Sequence, residues 1–309
     1  MRLVTRSDFD GLICAVLLKQ VEQIDSIQFV HPKDLQDGKF EVGPDDVLTN
    51  VPYVPGCRLW FDHHTTEIER VVGTTEFQGD CRLAPSAARV VYDYYGGADR
   101  FLGIEEMMAG VDKADSAQFT SDEILSPTGW ALLSFVMDAR TGLGRFRDYR
   151  ISNYQLMLDL IDACTAMTID EILQLPDVQE RTKRYFEQDV LFREMLVEHS
   201  WTEGEVVVTD LRGADTIYAG NRFLVYALHP EQSLSIWIVN GFQGRNCVFA
   251  CGHSIVNKTS DVNVGALMRR FGGGGHFAAG TCQVAHQETT DTLHEILYAM
   301  NSEELALAA

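Results

Sequence analysis

Three short clusters toward the N-terminus carry side chains able to hold a divalent cation. Asp8-Phe9-Asp10-Gly11 sets two carboxylates two residues apart in a turn-rich stretch, Asp62-His63-His64 follows the apolar run Leu59-Trp60-Phe61, and Asp112-Lys113-Ala114-Asp115-Ser116 closes a helical stretch. Carboxylates mixed with imidazoles suit Mn²⁺, Zn²⁺ and similar ions, whereas all-oxygen sets favour Mg²⁺ or Ca²⁺. Two such ions about 3.5–4 Å apart activate water and stabilise a leaving oxygen in an in-line displacement. Taken singly, each cluster also has a bland reading. A D-x-D pair serves as a helix cap or a turn, and an Asp near a helix end is usually solvated. The three together, in this order, predict one centre.

The elements that must position them follow from apolar periodicity. Leu3 to Thr5 reads as a strand, Arg6 to Gly11 as a loop and Leu12 to Gln20 as a helix. Ser26 to Val30, Asp46 to Asn50 and Arg58 to Phe61 read as buried strands punctuated by Pro44, Pro52 and Pro55. Strands interleaved with helices predict an α/β domain with a mainly parallel sheet, in which ligands collect beyond the carboxyl ends of the strands. The polar residues after Thr5, Leu48 and Phe61 fall at such ends. Helices are expected over Pro85–Tyr95, Gly103–Val111, Gly129–Asp138 and Tyr154–Met167, and Thr168 to Glu171 fits a capping box.

A long helix from Asp177 to about His199 reads as a connector, giving domains of 1–190 and 191–309. The second, smaller α/β domain is expected to hold strands at Glu205–Asp210, Phe223–Leu228, Leu234–Val239 and Cys247–Cys251. A helix over Val262–Phe271 then leads into Gly272-Gly273-Gly274-Gly275-His276, and a helix over Asp291–Met300 closes the chain. Glycine-rich backbone can approach a ligand closely and offer amide donors, so Gly273, Gly274, Gly275 and His276 are candidate substrate-binding residues.

Composition narrows the partners. Forty-five acidic against 25 basic residues give the 309-residue chain a formal charge of −20. That balance argues against long nucleic acid, whose phosphates must be neutralised, while a local cation still permits a small anion. No apolar run approaches a membrane span, and Met1-Arg2-Leu3-Val4-Thr5 lacks a signal-peptide core, so a cytoplasmic protein without a membrane partner is expected. The seven scattered cysteines form no C-x-x-C pair and read as reduced, buried thiols.

In this context the motifs resemble those of the DHH phosphoesterase superfamily, in its DHH–DHHA1 two-domain form. Ser7 to Gly11, Asp62-His63-His64, Asp115-Ser116-Ala117-Gln118-Phe119 and the Gly272 to His276 run followed by Ala278-Ala279-Gly280 match its signatures, in its order and along nearly the whole chain. The resemblance implies that Asp8 and Asp10 are metal ligands, that His63 and Asp115 bind the second ion, and that His64 faces the substrate phosphate. Asp112 is the fallback for Asp115, and Asp62 orients the histidines. It also places substrate contacts near His253 and Lys258. Two departures stand out: Val4 occupies a position where two-ion members carry His, and Asn50 that of the bridging Asp. The first metal site is therefore expected to be weak or empty, with the Arg6 guanidinium supplying positive charge there.

The resemblance thus implies a hydrolase with one or two divalent ions, Mn²⁺ first and Mg²⁺ or Co²⁺ after it, and with His64 as a catalytic group; Arg6, at the mouth of the loop before Asp8, is expected to act catalytically beside it. Its substrate would be a short oligonucleotide, bisphosphonucleotide, dinucleotide or polyphosphate, bound in an interdomain cleft. A homodimer is compatible with the sequence. The competing expectation is a degenerate homologue that senses nucleotide or phosphate.

Overall fold

The computed structural model describes residues 1–302. In chain order its elements are β1 (Arg2–Thr5), α1 (Phe9–Val21), β2 (Ser26–Phe29), α2 (Pro32–Gln36), β3 (Asp46–Thr49), β4 (Leu59–Asp62), α3 (Thr65–Val71), β5 (Gly79–Cys81), α4 (Ala87–Tyr94), α5 (Glu105–Asp115), α6 (Ser121–Leu125) and α7 (Gly129–Met137). They continue with α8 (Asn153–Ala166), α9 (Ile169–Leu173), α10 (Pro176–His199), β6 (Ser200–Glu203), β7 (Val206–Asp210), α11 (Leu224–Leu228), β8 (Leu234–Asn240), β9 (Cys247–His253), α12 (Val264–Arg269), β10 (Gly274–His276), β11 (Ala279–Val284) and α13 (Thr289–Asn301). Two compact units result: Met1–Gln118 with Thr128–Arg184, and Phe119–Pro127 with Tyr185–Ala309.

In the first unit five strands pair in the order β2-β1-β3-β4-β5, every pair parallel. Successive side chains alternate between the faces of the sheet. Leu3, Val47 and Phe61 enter one apolar cluster, while Val4, Leu48 and Trp60 enter another. Both faces are covered, as a parallel sheet requires. Helix α1 is buried from Phe9 through Leu18, apolar on all sides, and packs against α4, α5 and α8. Trp60 anchors the opposite face, donating its indole N–H to the Val51 carbonyl at 2.9 Å with the Phe77 ring 4.9 Å away.

The second unit carries a mixed sheet in the order β10-β11-β9-β8-β7-β6, with only β7 and β8 parallel. One difference from the sequence reading lies here. Phe223–Leu228, expected as a strand, begins a helix: the Asn221 side chain accepts from the Phe223 amide at 3.0 Å, and Leu224, Val225 and Tyr226 turn inward. A short apolar run fits a buried helix turn as well as a strand, and here the turn at Asn221 leads into the helix. Segment Phe119–Pro127 packs here too, with Phe119 against Phe223 at 5.9 Å. All seven cysteines are free and six are buried. No helix among the described residues is long and apolar enough to cross a membrane.

The glycine run is not wholly a ligand loop. Gly274 to His276 form β10, an edge strand paired antiparallel with β11. A Cβ on Gly273 would lie 2.0 Å from the Thr281 carbonyl oxygen and 2.7 Å from the Cys282 Cα, whereas one on Gly274 would meet nothing within 4 Å. Packing therefore dictates the first, while the second is left open. Gly273→Ala is expected to cost about 1–3 kcal/mol by overpacking, a fall in Tm of roughly 2–10 °C. Gly274→Ala should leave Tm close to that of the parent. Calorimetry showing equal losses for the two would contradict this packing.

Candidate metal centre

Strand order brings the site together. Strands β1, β3 and β4 are neighbours, with Thr5 beside Thr49 and Thr49 beside Phe61. The residues leaving their carboxyl ends, Arg6 to Asp10, Asn50 and His63-His64, therefore emerge at one edge. Gly11 lets the loop fold back over β1, since a Cβ there would stand 2.1 Å from the Arg6 carbonyl oxygen. Asp8 caps α1, accepting from the Gly11 amide at 2.9 Å. Of the two acids in the pair, one serves the helix and the other turns inward.

That inward acid, Asp10, is 2% exposed and accepts from the amides of Ala87 and Ala88 at 2.9 and 2.8 Å, at the start of α4. Its Oδ2 lies 3.9 Å from His63 Nε2, and Asp115 Oδ2, at the end of α5, lies 3.0 Å from the same nitrogen. One ligand atom from each of the three falls within 4.8 Å of the others. His63 Nδ1 sits 3.1 Å from the Ala84 carbonyl, which can only accept, so the proton belongs on Nδ1 and the Nε2 lone pair faces the acids. Nε2 is buried and makes no hydrogen bond among the described residues, with Asp115 Oδ2 its nearest charged neighbour. A lone pair and two carboxylates converging without donors fit a divalent cation.

The charges tell the same story. Burial, with Asp115 alongside, pushes the Asp10 carboxyl up to about 8 against the pull of His63. Burial alone would lower His63, but its contact with Asp115 and the charge of Asp10 outweigh it and raise the imidazolium to about 9. Burial raises Asp8 as well, opposed by Arg6. Protons here take the place a cation would fill. Asp62, His63 and His64 also lie close together, but Asp62 Oδ1 is already engaged by His64 Nδ1 at 2.7 Å and by the His63 amide at 2.8 Å. Asp62 thus orients His64, whose imidazolium burial would depress and Asp62 raises.

The Asp8 corner differs. Its Oδ1 receives the Gly11 amide and, at 3.1 Å, the Asn50 side-chain amide, while Oδ2 faces Arg6 Nε at 3.1 Å. Asn50 adopts the left-handed conformation, φ 54°, which Asn tolerates better than most residues. Its Oδ1 is buried without a partner. Val4 is fully buried in the apolar cluster with Leu48 and Trp60. Donors from the protein, rather than open coordination positions, surround Asp8.

Asp112 is spoken for by a structural role: it receives the Ser86 hydroxyl at 2.7 Å and pairs with Arg89 at 2.6 Å. In the second unit His276 and Lys258 are exposed. His253 Nε2 donates to the Val262 carbonyl at 2.8 Å, and its ring stands edge-on to Phe277 at 5.4 Å. Gly273 is packed against β11 and Gly274 is open, as described above. Sequence reasoning missed Arg140, whose guanidinium feels the charges of Asp138, Asp115 and Asp8. The Asp-x-Arg-x-Gly spacing of Asp138, Arg140 and Gly142 was its only signal.

Comparison with known proteins identifies the family. No protein-family model matches the chain, and none of the curated proteins does. Among solved structures it is similar to the pGpG-specific phosphodiesterase PggH from Vibrio cholerae, with 52% identity over 97% of this chain and 98% of that one, and a TM-score of 0.88. The DHH domain of a member of the s1p family of ribosomal proteins shares the fold at 12% identity, covering 96% of this chain and 86% of that one with a TM-score of 0.51. Fold and site together define a hydrolase of phosphoester bonds. Within that class, the chain belongs to the DHH phosphoesterase superfamily.

Proton occupancy makes metal loading pH-dependent. His63 is raised, so its stabilisation is complete below its unfolded value of about 6.5 and fades as pH rises through about 9. Asp10 is raised too. As a carboxyl its charged form is disfavoured, and folding weakens as pH climbs from about 4 to about 8. Both signs lower metal-free stability toward pH 9, where a cation no longer competes with protons. The rise in Tm on adding Mn²⁺ should therefore be larger near pH 8.5 than near pH 6.5. Calorimetry giving the opposite order would remove the cation from these three residues.

Proposed function

We propose that this protein is a single-cation phosphodiesterase for a linear, 5′-phosphorylated diguanylate. The observation that carries the reading is its 52% identity, over 97% of its length, to a protein named as a pGpG-specific phosphodiesterase. The convergence of Asp10, His63 and Asp115 supports it. These three residues hold the cation. Mn²⁺ is the proposed ion because the set mixes imidazole with carboxylates, and Mg²⁺ and Co²⁺ are the alternatives to assay. Such an ion supplies Lewis-acid stabilisation of the phosphoryl oxygens and acidifies the attacking water.

The chain's own groups do the rest. Asp62 holds His64 by Nδ1, so Nε2 presents its edge to the scissile phosphate. Its raised basicity keeps a proton there to donate. Arg6, tethered to Asp8 through Nε, offers its outer nitrogens to the same phosphate. Water adds to phosphorus, the 3′ oxygen leaves and takes up a proton, and two guanosine monophosphates result. In the second unit Gly274 and His276 are the foremost candidates to hold the remainder of the substrate, followed by Gly273, Gly275, His253 and Lys258. The strongly acidic composition favours such a short ligand over a polymer.

Chromatography of products from pGpG, pApA and polyphosphate, each with Mn²⁺, Mg²⁺ or Co²⁺, tests the proposal. Release of GMP from pGpG is expected to exceed turnover of the other two. His64→Ala should lower kcat by roughly 10²–10⁴-fold. Asp115→Asn should weaken metal binding in calorimetry, as His63 is the contact it makes at the site. No GMP release with any of the three ions would reject the proposal.

A further inference from the structure

The turn after α7 presents a second tethered guanidinium. Asp138 caps the short 3₁₀ turn Ala139–Thr141, accepting from the Arg140 amide at 2.8 Å. The same carboxylate takes Arg140 Nε, at 2.9 Å to Oδ1 and 3.1 Å to Oδ2. Backbone and side chain of one residue are thus fixed by a single acid. The two terminal nitrogens of Arg140 make no hydrogen bond among the described residues, and the side chain is 61% exposed. Asp138 and Ala139 line a cleft of about 140 Å³ that also includes Ser7, the residue before Asp8. The cleft thereby links this turn to the loop that leads through Asp8 into α1 and Asp10.

Arg6 offers a comparable but looser pairing on a different loop, its Nε standing 3.1 Å from Asp8 Oδ2 as an ion pair. A guanidinium held through Nε keeps a planar pair of donors in a fixed direction, the geometry that takes two phosphate oxygens at once. Asp138 already caps the turn through the Arg140 amide, and a guanidinium 61% exposed adds little more as a brace. Arg140 lies within electrostatic reach of Asp8 and Asp115, and a cation among the acids would cancel that field and leave its outer donors to an anion. Two such donors on two loops suit two phosphate groups. A 5′-phosphorylated dinucleotide carries two: the diester to be cut, and a terminal monoester of about −1.5 to −2 charge.

Resting on the dinucleotide reading above, we propose that Arg140, positioned by Asp138, binds the terminal phosphate of the substrate and selects for 5′-phosphorylated ends. Arg6 serves the scissile group.

The test compares kcat/KM for pGpG with that for GpG, the same dinucleotide ending in a 5′-hydroxyl, in the metal-loaded full chain. In the parent the phosphorylated form is preferred. In Arg140→Ala the ratio of the two is expected to fall about ten- to a hundredfold, the effect of one charge-assisted contact. Arg140→Lys should recover only part of it, because a point charge cannot form the fork. Asp138→Asn should raise KM for pGpG more than it lowers kcat. An unchanged ratio in Arg140→Ala, with Arg140→Gln as a second variant and circular dichroism to verify folding, overturns the proposal. If the parent cleaves neither dinucleotide, the diguanylate reading fails by itself. Calorimetric binding of GMP against guanosine, in parent and Arg140→Ala, then decides the clamp: a preference for GMP that falls in the variant supports it, and one that does not fall overturns it.

Discussion

Carboxylates buried near one another repel, and water cannot screen them as it does on a surface. At the carboxyl edge of the parallel sheet the fold nevertheless holds Asp10 and Asp115 around one imidazole nitrogen that has no hydrogen bond. Such an arrangement persists only if something positive enters it, whether protons or a metal ion. The surrounding parts answer that demand by degrees. Amides at the start of α4 support Asp10, the Ala84 carbonyl fixes the His63 tautomer, and Asp62 turns His64 aside to act on its own.

Next to that corner lies a second one solved in another way. Around Asp8 the chain supplies a backbone amide, an Asn side chain and an arginine, so charge is compensated by fixed protein donors. Only the first corner offers open donor atoms to a metal. The pairing of one exchangeable positive charge with one permanent one suits a reaction that starts and ends with anionic phosphate: one group loads and activates, the other does not depart with product.

Much of this was legible in the sequence because short apolar runs bounded by turn residues, with polar residues at their carboxyl ends, leave clear marks. Leu3 and Val4, Val47 and Leu48, and Trp60 and Phe61 divide between the faces of the sheet as their alternation predicts. The nearness of Asp10, His63 and Asp115 was an expectation of the family resemblance, with Asp112 held as the fallback for Asp115. Less legible was whatever depended on direction rather than type. Nothing in the letters shows that Asp112 turns to Arg89 while Asp115 turns to His63. Nor do they show that Asn50 donates to Asp8, or that Arg140 is held by its own neighbour. The helix at Leu224–Leu228 escaped because an apolar run of that length has no period of its own. Strand β10 escaped because glycines carry no pattern at all.

The bond between Asp10 and the start of α4 has a wider consequence. Its carboxylate is at once an acceptor for the Ala87 and Ala88 amides and a neighbour of His63, so the proposed cation site and the architecture share one residue. A descendant that abandoned its chemistry would still be selected to retain this aspartate for the helix. On the mechanism proposed above, Asp115 and His64, which serve no comparable scaffold duty, are therefore the better markers of retained chemistry among related sequences.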